Sequence, residues 1–178
     1  DLEINQNFIK SAPDLKHVIS ASNGLEHIDT EAIKNSSIKL THLRSLNETS
    51  TAELSLILLM ACARKLPYVR ECLKQGNWEK STLVGQELSG KKIGIIGLGK
   101  VGKKVALMSK AFDMIPIAYD PYIDESDYTT LGVHQAKNLA ELIQESSYIS
   151  IHVPLNDETN QLINRDMIKQ MGPKTILI

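Results

Sequence analysis

Short apolar runs alternate along this chain with longer stretches in which apolar positions recur every three or four residues. That order predicts a parallel sheet with helices on its faces. Residues 16–21 read as a strand, 30–35 as a short helix and 38–41 as a second strand, which together make a βαβ unit. Ser50-Thr51-Ala52-Glu53 then fits a capping box, in which the serine hydroxyl and the glutamate carboxylate satisfy free amides at a helix start. A long helix is predicted from there to about Gln75. Its first turns carry Ala52, Leu54, Leu56, Ile57, Leu58, Leu59, Met60 and Ala61, apolar on nearly every side. Such a helix needs cover on more than one face, so it is read as packed between two domains.

Gly76-Asn77-Trp78 ends that helix, and the polar stretch 79–90 leads into a second unit. Residues 92–97 predict a strand, 99–112 a helix and 115–120 a strand. The helix has Val101, Val105, Met108 and Phe112 on one side and lysines elsewhere, an amphipathic pattern suited to lying on a sheet. A short strand near Val133, a helix through 139–143, a strand at 148–153, a helix at 158–171 and a strand from Thr175 continue the alternation. The division expected is therefore 1–49, a helix and linker over 50–85, and 86–178. One strand pair before the linking helix is little sheet for a domain, and Ile176-Leu177-Ile178 has the pattern of a buried strand. The expectation is a piece of a longer protein.

Composition narrows the function classes. Twenty basic residues against 21 acidic ones give a formal charge of -1, without the basic footprint of a nucleic-acid-binding domain. Residues 54–63 form the longest apolar run, interrupted only by Ser55 and about half of what a bilayer requires. No membrane partner is expected, and with neither a cationic start nor an apolar leader the cytoplasm is the default compartment. Cys62 and Cys72 match neither a disulfide framework nor a metal-ligand spacing and read as buried or inert thiols. His17, His27, His42 and His134 likewise show no ligand spacing, so no metal is expected.

The strongest chemical signal is Gly97-Leu98-Gly99-Lys100-Val101-Gly102, which follows an apolar strand and opens a helix. In that setting Gly97 allows the tight turn, Gly99 lets backbone approach a diphosphate, and Gly102 lets the helix pack on the strand. The diphosphate would sit at the positive helix N-terminus. Asp120 ends the next strand, where its carboxylate can hydrogen-bond the two hydroxyls of an adenosine ribose. The same charge repels a 2′-phosphate, and no arginine lies in 121–126 to receive one, so NAD is predicted over NADP. His152, at a strand end, is read as a packing or cofactor-contact residue.

Residues 85–102 (GQELSGKKIGIIGLGKVG), Tyr119-Asp120-Pro121, and His152-Val153-Pro154-Leu155 with Thr159 resemble the D-isomer-specific 2-hydroxyacid dehydrogenases. Ser50-Thr51-Ala52-Glu53 with Ala63-Arg64 resembles that family's interdomain helix, and residues 21–29 (ASNGLEHID) its substrate-side loop. The resemblance implies a Rossmann-type doubly wound sheet beside part of a flavodoxin-like α/β substrate domain, the latter at 1–49. It implies NAD as cofactor, a small 2-hydroxyacid or 2-oxoacid as substrate, and a homodimer. Lys100 and Val101 would touch the diphosphate, Val153 and Pro154 the adenine side with Thr159 close by, and the backbone of Asn23 and Gly24 the substrate carboxylate. An anion nest of free amides gives that last role a physical basis.

The activity implied is hydride transfer between a D-2-hydroxyacid and the nicotinamide, with substrates of the 3-phosphoglycerate, glycerate/hydroxypyruvate or glyoxylate kind. The family's arginine, glutamate and histidine of catalysis would all lie beyond Ile178, so no catalytic residue is assigned. Thr41-His42-Leu43-Arg44-Ser45 departs from the family's usual segment, and Arg44 is a candidate for neutralising an acidic substrate. The alternative from another class is an NAD(H)-sensing binding module of the same fold with little turnover.

Overall fold

The strand Lys92–Ile96 is apolar on both sides because both faces of its sheet are covered. It is β3 of the computed structural model, which describes residues 2–22, 24–25, 27–43, 47–78, 80–81 and 83–178. Packing divides the chain into two units, Asp1–Glu48 and Thr49–Ile178.

The first unit holds α1 (Gln6–Ser11), β1 (His17–Ser20), α2 (Thr30–Lys34) and β2 (Lys39–His42). The two strands pair in parallel, Val18 with Leu40, and an isolated parallel bridge joins Ile4 to Ile28. Val18, Ile28, Ile33 and Ile38 form a small core. The strands and α2 lie within a residue or two of the predicted bounds. Helix α1 was not predicted; Asn5 starts it by accepting from the amides of Asn7 and Phe8, both at 3.0 Å.

The second unit opens with α3 (Glu48–Ala63) and α4 (Leu66–Lys74). Two helices replace the single one predicted, because Lys65 takes a left-handed conformation at φ 52 and Pro67 begins a new first turn. Helix α3 also starts before the predicted capping box, with Ser50 inside its first turn; Asn47 precedes it and Glu48 supplies the acid that suits a helix start. The expected cover on several faces is not found. Ala52, Leu56, Leu59 and Ala63 are buried on one side, while Leu54, Ile57 and Leu58 are exposed. Cys62 is exposed rather than buried, and both cysteines are free.

From β3 the chain continues through α5 (Lys100–Lys110), β4 (Ile115–Tyr119), α6 (Glu125–Leu131), β5 (His134–Gln135), α7 (Leu139–Glu145), β6 (Tyr148–Ile151), α8 (Arg165–Gln170) and β7 (Ile176–Leu177). These strands make one parallel sheet in the order β5-β4-β3-β6-β7. Chain order reverses between β3 and β6, the switch point at which open α/β sheets leave a crevice beyond the strand ends. This is the Rossmann-like doubly wound arrangement expected. Alternate residues of β3 serve opposite faces: Ile93 and Ile95 pack with α3 and with Val105 and Ala106 of α5, whereas Ile96 packs with Leu142 and Ile143 of α7.

Two further predictions need correction, and one helix was not predicted. Helix α5 buries Gly102, Val105, Ala106 and Ser109, so its core side is rotated from the predicted one and Phe112 is exposed beyond its end. Helix α6 had no periodic signal, yet Asp124 and Gly132 bound it, the glycine left-handed at φ 59. The helix predicted over 158–171 shrinks to α8, because the Asn156 side chain accepts from the amides of Glu158 and Thr159, at 3.0 and 2.9 Å, and turns the backbone. Asn164 then caps α8 by accepting from Asp166 and Met167.

Gly94, at the centre of β3, admits no side chain: a β-carbon would lie 2.4 Å from Ser146 Oγ and 2.6 Å from Leu142 Cδ2. Gly94→Ala therefore overpacks the α7 face, with an expected loss of about 1–3 kcal/mol. A urea midpoint equal to that of the unaltered protein would contradict this packing.

Candidate functional site

Gly97, φ +90, ends β3 in a conformation open to glycine, and a β-carbon there would also strike the His152 carbonyl oxygen at 2.6 Å. Gly102 sits beneath it: its own β-carbon would stand 2.0 Å from the Gly97 carbonyl oxygen. Helix α5 therefore begins directly against the turn. Its N-cap is Gly99, which offers no side-chain capping hydrogen bond to the start of this 11-residue helix.

The turn leads to Asp120. The buried Leu98 donates its N–H to Asp120 Oδ2 at 2.8 Å, and Tyr122 donates its own to Oδ1 at 3.0 Å. The Asp120 backbone is held too, its N–H donating to the Tyr128 hydroxyl at 2.9 Å while that hydroxyl donates back to the Asp120 carbonyl oxygen at 3.2 Å. Burial pushes the Tyr128 phenol above its ordinary pKa, so it stays a neutral donor. A carboxylate has about four acceptor positions, so two remain for a ligand diol.

A cavity of ≈ 350 Å³ adjoins these groups, lined by Ile96, Gly97, Gly99, Tyr119, Asp120, Pro121, Tyr122, His152, Val153, Pro154, Asn156, Glu158, Thr159 and Leu162. It joins most of the residues singled out from sequence. Lys100 and Val101 open α5 outside this lining, and Gly102 is buried under the turn. Gly24 belongs to the first unit, where its carbonyl accepts from Ser22 Oγ at 2.6 Å. Asn23, Arg44 and Ser45 lie outside the described residues. Tyr122, Asn156 and Glu158 were missed; the Asn-x-x-Thr spacing of 156–159 was the available signal, since Asn156 N–H donates to Thr159 Oγ1 at 2.9 Å and closes the turn.

Three lysines near the turn in sequence are engaged elsewhere. Lys92 stands at the far end of β3, about 16 Å along the strand, and pairs with Glu145 at 2.6 Å. Lys103 pairs with Asp127 at 3.2 Å, and Lys110 donates to the Leu131 carbonyl oxygen. Among the described residues no group of three or more His, Cys, Asp and Glu is placed to hold a metal ion.

These residues fit an adenine dinucleotide. A β-carbon on Gly99 would meet nothing within 4 Å, so the absent side chain leaves open space beside the uncapped helix start, where a diphosphate needs to approach. The apolar floor of Ile96, Val153, Pro154 and Leu162 suits a flat base, and the Asp120 acceptors suit a ribose.

His152 is the half-buried titratable ring of this lining. Its Nε2 lies 2.8 Å from the buried Ser150 Oγ, and desolvation lowers its pKa from 6.5 to about 4. The unfolded chain takes up the proton near 6.5 while the folded one refuses it until about 4. Full stability is therefore present above 6.5 and is lost as the pH falls toward 4, on the order of 2 kcal/mol. His152→Gln should show a shallower loss between these pH values in urea denaturation; an identical slope would mean that the ring is solvated.

Comparison with known proteins places this geometry. Residues 56–178 match the model of the D-isomer specific 2-hydroxyacid dehydrogenase, NAD binding domain. The chain is 38% identical over 176 residues to the hydroxypyruvate reductase of Thermotoga maritima, covering 99% of this chain and 56% of that protein. It is 35% identical over 176 residues to the D-3-phosphoglycerate dehydrogenase of Methanocaldococcus jannaschii, covering 99% of this chain and 34% of that protein. The solved D-lactate dehydrogenase from Aquifex aeolicus, complexed with NAD and lactic acid, is similar at TM-score 0.86 and 30% identity over 98% of this chain and 52% of that one. The chain thus spans about half, or a third, of the length of these relatives. It belongs to the D-isomer-specific 2-hydroxyacid dehydrogenase family, and the match to that family's NAD-binding domain runs over residues 56–178.

Proposed function

We propose that the protein is an NAD-dependent oxidoreductase acting on the CH–OH group of a small D-2-hydroxyacid. The substrate class is that of 3-phosphoglycerate, glycerate/hydroxypyruvate or glyoxylate. The observation that carries this reading is the Asp120 carboxylate, fixed by the Leu98 and Tyr122 amides beside the glycine turn. Relatives named hydroxypyruvate reductase and D-3-phosphoglycerate dehydrogenase support turnover over a purely sensing role. They also support a small-acid substrate.

When bound, NAD supplies the hydride acceptor or donor, and the residues of this chain hold and orient it. The amides of Lys100 and Val101 take the diphosphate at the α5 N-terminus, with Gly97, Gly99 and Gly102 keeping the backbone close. Asp120 takes the adenosine ribose; Val153, Pro154 and Thr159 border the adenine, and neutral His152 closes that side without adding charge. In the other unit the loop with Asn23 and Gly24 meets the substrate carboxylate. Residues 1–49 are then part of the substrate domain, 50–85 its connection to the cofactor domain, and 86–178 the cofactor domain itself. A cytoplasmic homodimer completes the reading; no helix of the described residues is long and apolar enough to cross a membrane.

The direct test is an assay of the full-length protein with NADH and, separately, hydroxypyruvate, glyoxylate and 3-phosphohydroxypyruvate. NADH oxidation with one of them is expected, and none with any overturns the reading. NADH should bind more tightly than NADPH by titration calorimetry, and Asp120→Ser should narrow the gap by about tenfold, as expected when a like-charge clash is removed. Gly99→Val should abolish NADH binding in a fluorescence titration while the fold persists, since the added side chain enters open space.

A further inference from the structure

Because β3 lies between β4 and β6, the segments that follow those two strands flank the glycine turn. Each contributes a carboxylate to the cavity lining, Asp120 from one and Glu158 from the other, and the described lining residues include no lysine or arginine. Of these two carboxylates only Asp120 entered the expectation of NAD over NADP. Glu158 is exposed, but its amide and its carboxylate each have a partner. The Asn156–Thr159 turn is closed by the Asn156 side chain, which accepts from the Glu158 and Thr159 amides at 3.0 and 2.9 Å. The Tyr122 hydroxyl reaches across and donates to Glu158 Oε2, while the Tyr122 N–H donates to Asp120 Oδ1 at 3.0 Å. One residue thus ties both carboxylates to the same rim.

We propose that Glu158 is a second determinant of cofactor choice, acting with Asp120 to reject a 2′-phosphate, and that Tyr122 is the positioning residue that holds its charge at the cavity. The proposal rests on the reading that this cavity takes the adenosine end of the dinucleotide. A long glutamate side chain free in solvent spreads its charge over many rotamers, and salt screens it. Held by the phenol, the charge stays beside the ribose position, where a phosphate carrying nearly two negative charges would arrive. The two carboxylates differ in kind. Asp120 both accepts from ribose hydroxyls and repels phosphate, whereas Glu158, engaged by Tyr122, acts through charge. Removing Asp120 alone therefore leaves part of the discrimination in place.

The test compares Kd for NADH and NADPH in the full-length protein and its Glu158→Gln, Glu158→Lys, Tyr122→Phe, Asp120→Ser and Asp120→Ser/Glu158→Gln variants, at about 20 mM and about 300 mM salt. Glu158→Gln should lower the NADPH-to-NADH ratio of Kd roughly fivefold at low salt and less at high salt. Glu158→Lys should lower it further, a gradation by charge that a change of shape does not produce. Tyr122→Phe should lower it about twofold, because the carboxylate is released rather than removed. The double variant should fall below Asp120→Ser. The proposal is overturned if Glu158→Gln and Glu158→Lys keep the original ratio at both salts, or if Asp120→Ser alone erases the preference. Failure of the unaltered protein to bind either nucleotide overturns the cofactor reading itself, and this inference with it.

Discussion

A side chain cannot exist at Gly102, because its first carbon would stand 2.0 Å from the carbonyl oxygen of Gly97. That contact sets how near α5 comes to the end of β3, and much else in the second unit follows from it. With the helix start pressed against the turn, Leu98 is buried and its amide points sideways toward the end of β4 rather than out to water. Asp120 is the acceptor that meets it, at 2.8 Å. The approach also leaves the α5 N-terminus facing the crevice where chain order reverses, capped only by a glycine. A larger residue at position 102 would move the helix, and the carboxylate and the helix start would lose their common geometry.

The two ends of the crevice then differ in electrical character. Near α5 the backbone offers donors and a positive helix end, suited to an anion. Near β4 and β6 the described lining residues offer acceptors and negative charge with no lysine or arginine, and desolvation favours the neutral form of His152. A dinucleotide has the matching order: anionic diphosphate in the middle, then hydroxyl donors on the ribose, then a flat base. On the proposed reading, discrimination between cofactors falls to the acceptor end, where the Tyr122 hydroxyl is engaged by Glu158, whose hydrogen bond and charge raise the phenol's pKa. Affinity for the diphosphate and choice between cofactors would then be carried by separate elements.

Much of this was legible in the sequence because it rests on local pattern. Four of the five strands of the second unit's sheet appear as short apolar runs, whereas β5 (His134–Gln135) is polar and was marked only by Val133 before it. The glycine turn declares itself by spacing and by the strand before it. Asp120 was readable because it terminates the next such run. Helix ends were less legible: α3 and α4 form one apolar-to-amphipathic stretch, and the break at Lys65 and Pro67 is a backbone event with no periodic signal. The rotation of α5 escaped for a different reason. Small residues, Gly102, Ala106 and Ser109, occupy its buried side because the helix lies close to the sheet, so large apolar residues do not mark that face. The same closeness that makes the site conceals the face that packs.

The segment after β6 is where pattern and structure part most, and it borders the cavity. Residues 158–171 have helical composition, but Asn156 and Thr159 satisfy the backbone locally and Asn164 restarts a helix only at Arg165. Side chains that compete with the helix for amide hydrogens cost regular structure, and such local departures concentrate where geometry serves a site. Here the departure has a definite product. A helix starting at Glu158 would make its amide part of a first turn and leave its side chain on a helix surface. The turn instead fixes Glu158 by its own amide, with Pro154 and Thr159 joined by the Thr159 hydroxyl, so that the carboxylate meets Tyr122 at the rim. The loss of about two helical turns places a second negative charge beside Asp120, a charge that no reading of helical periodicity locates.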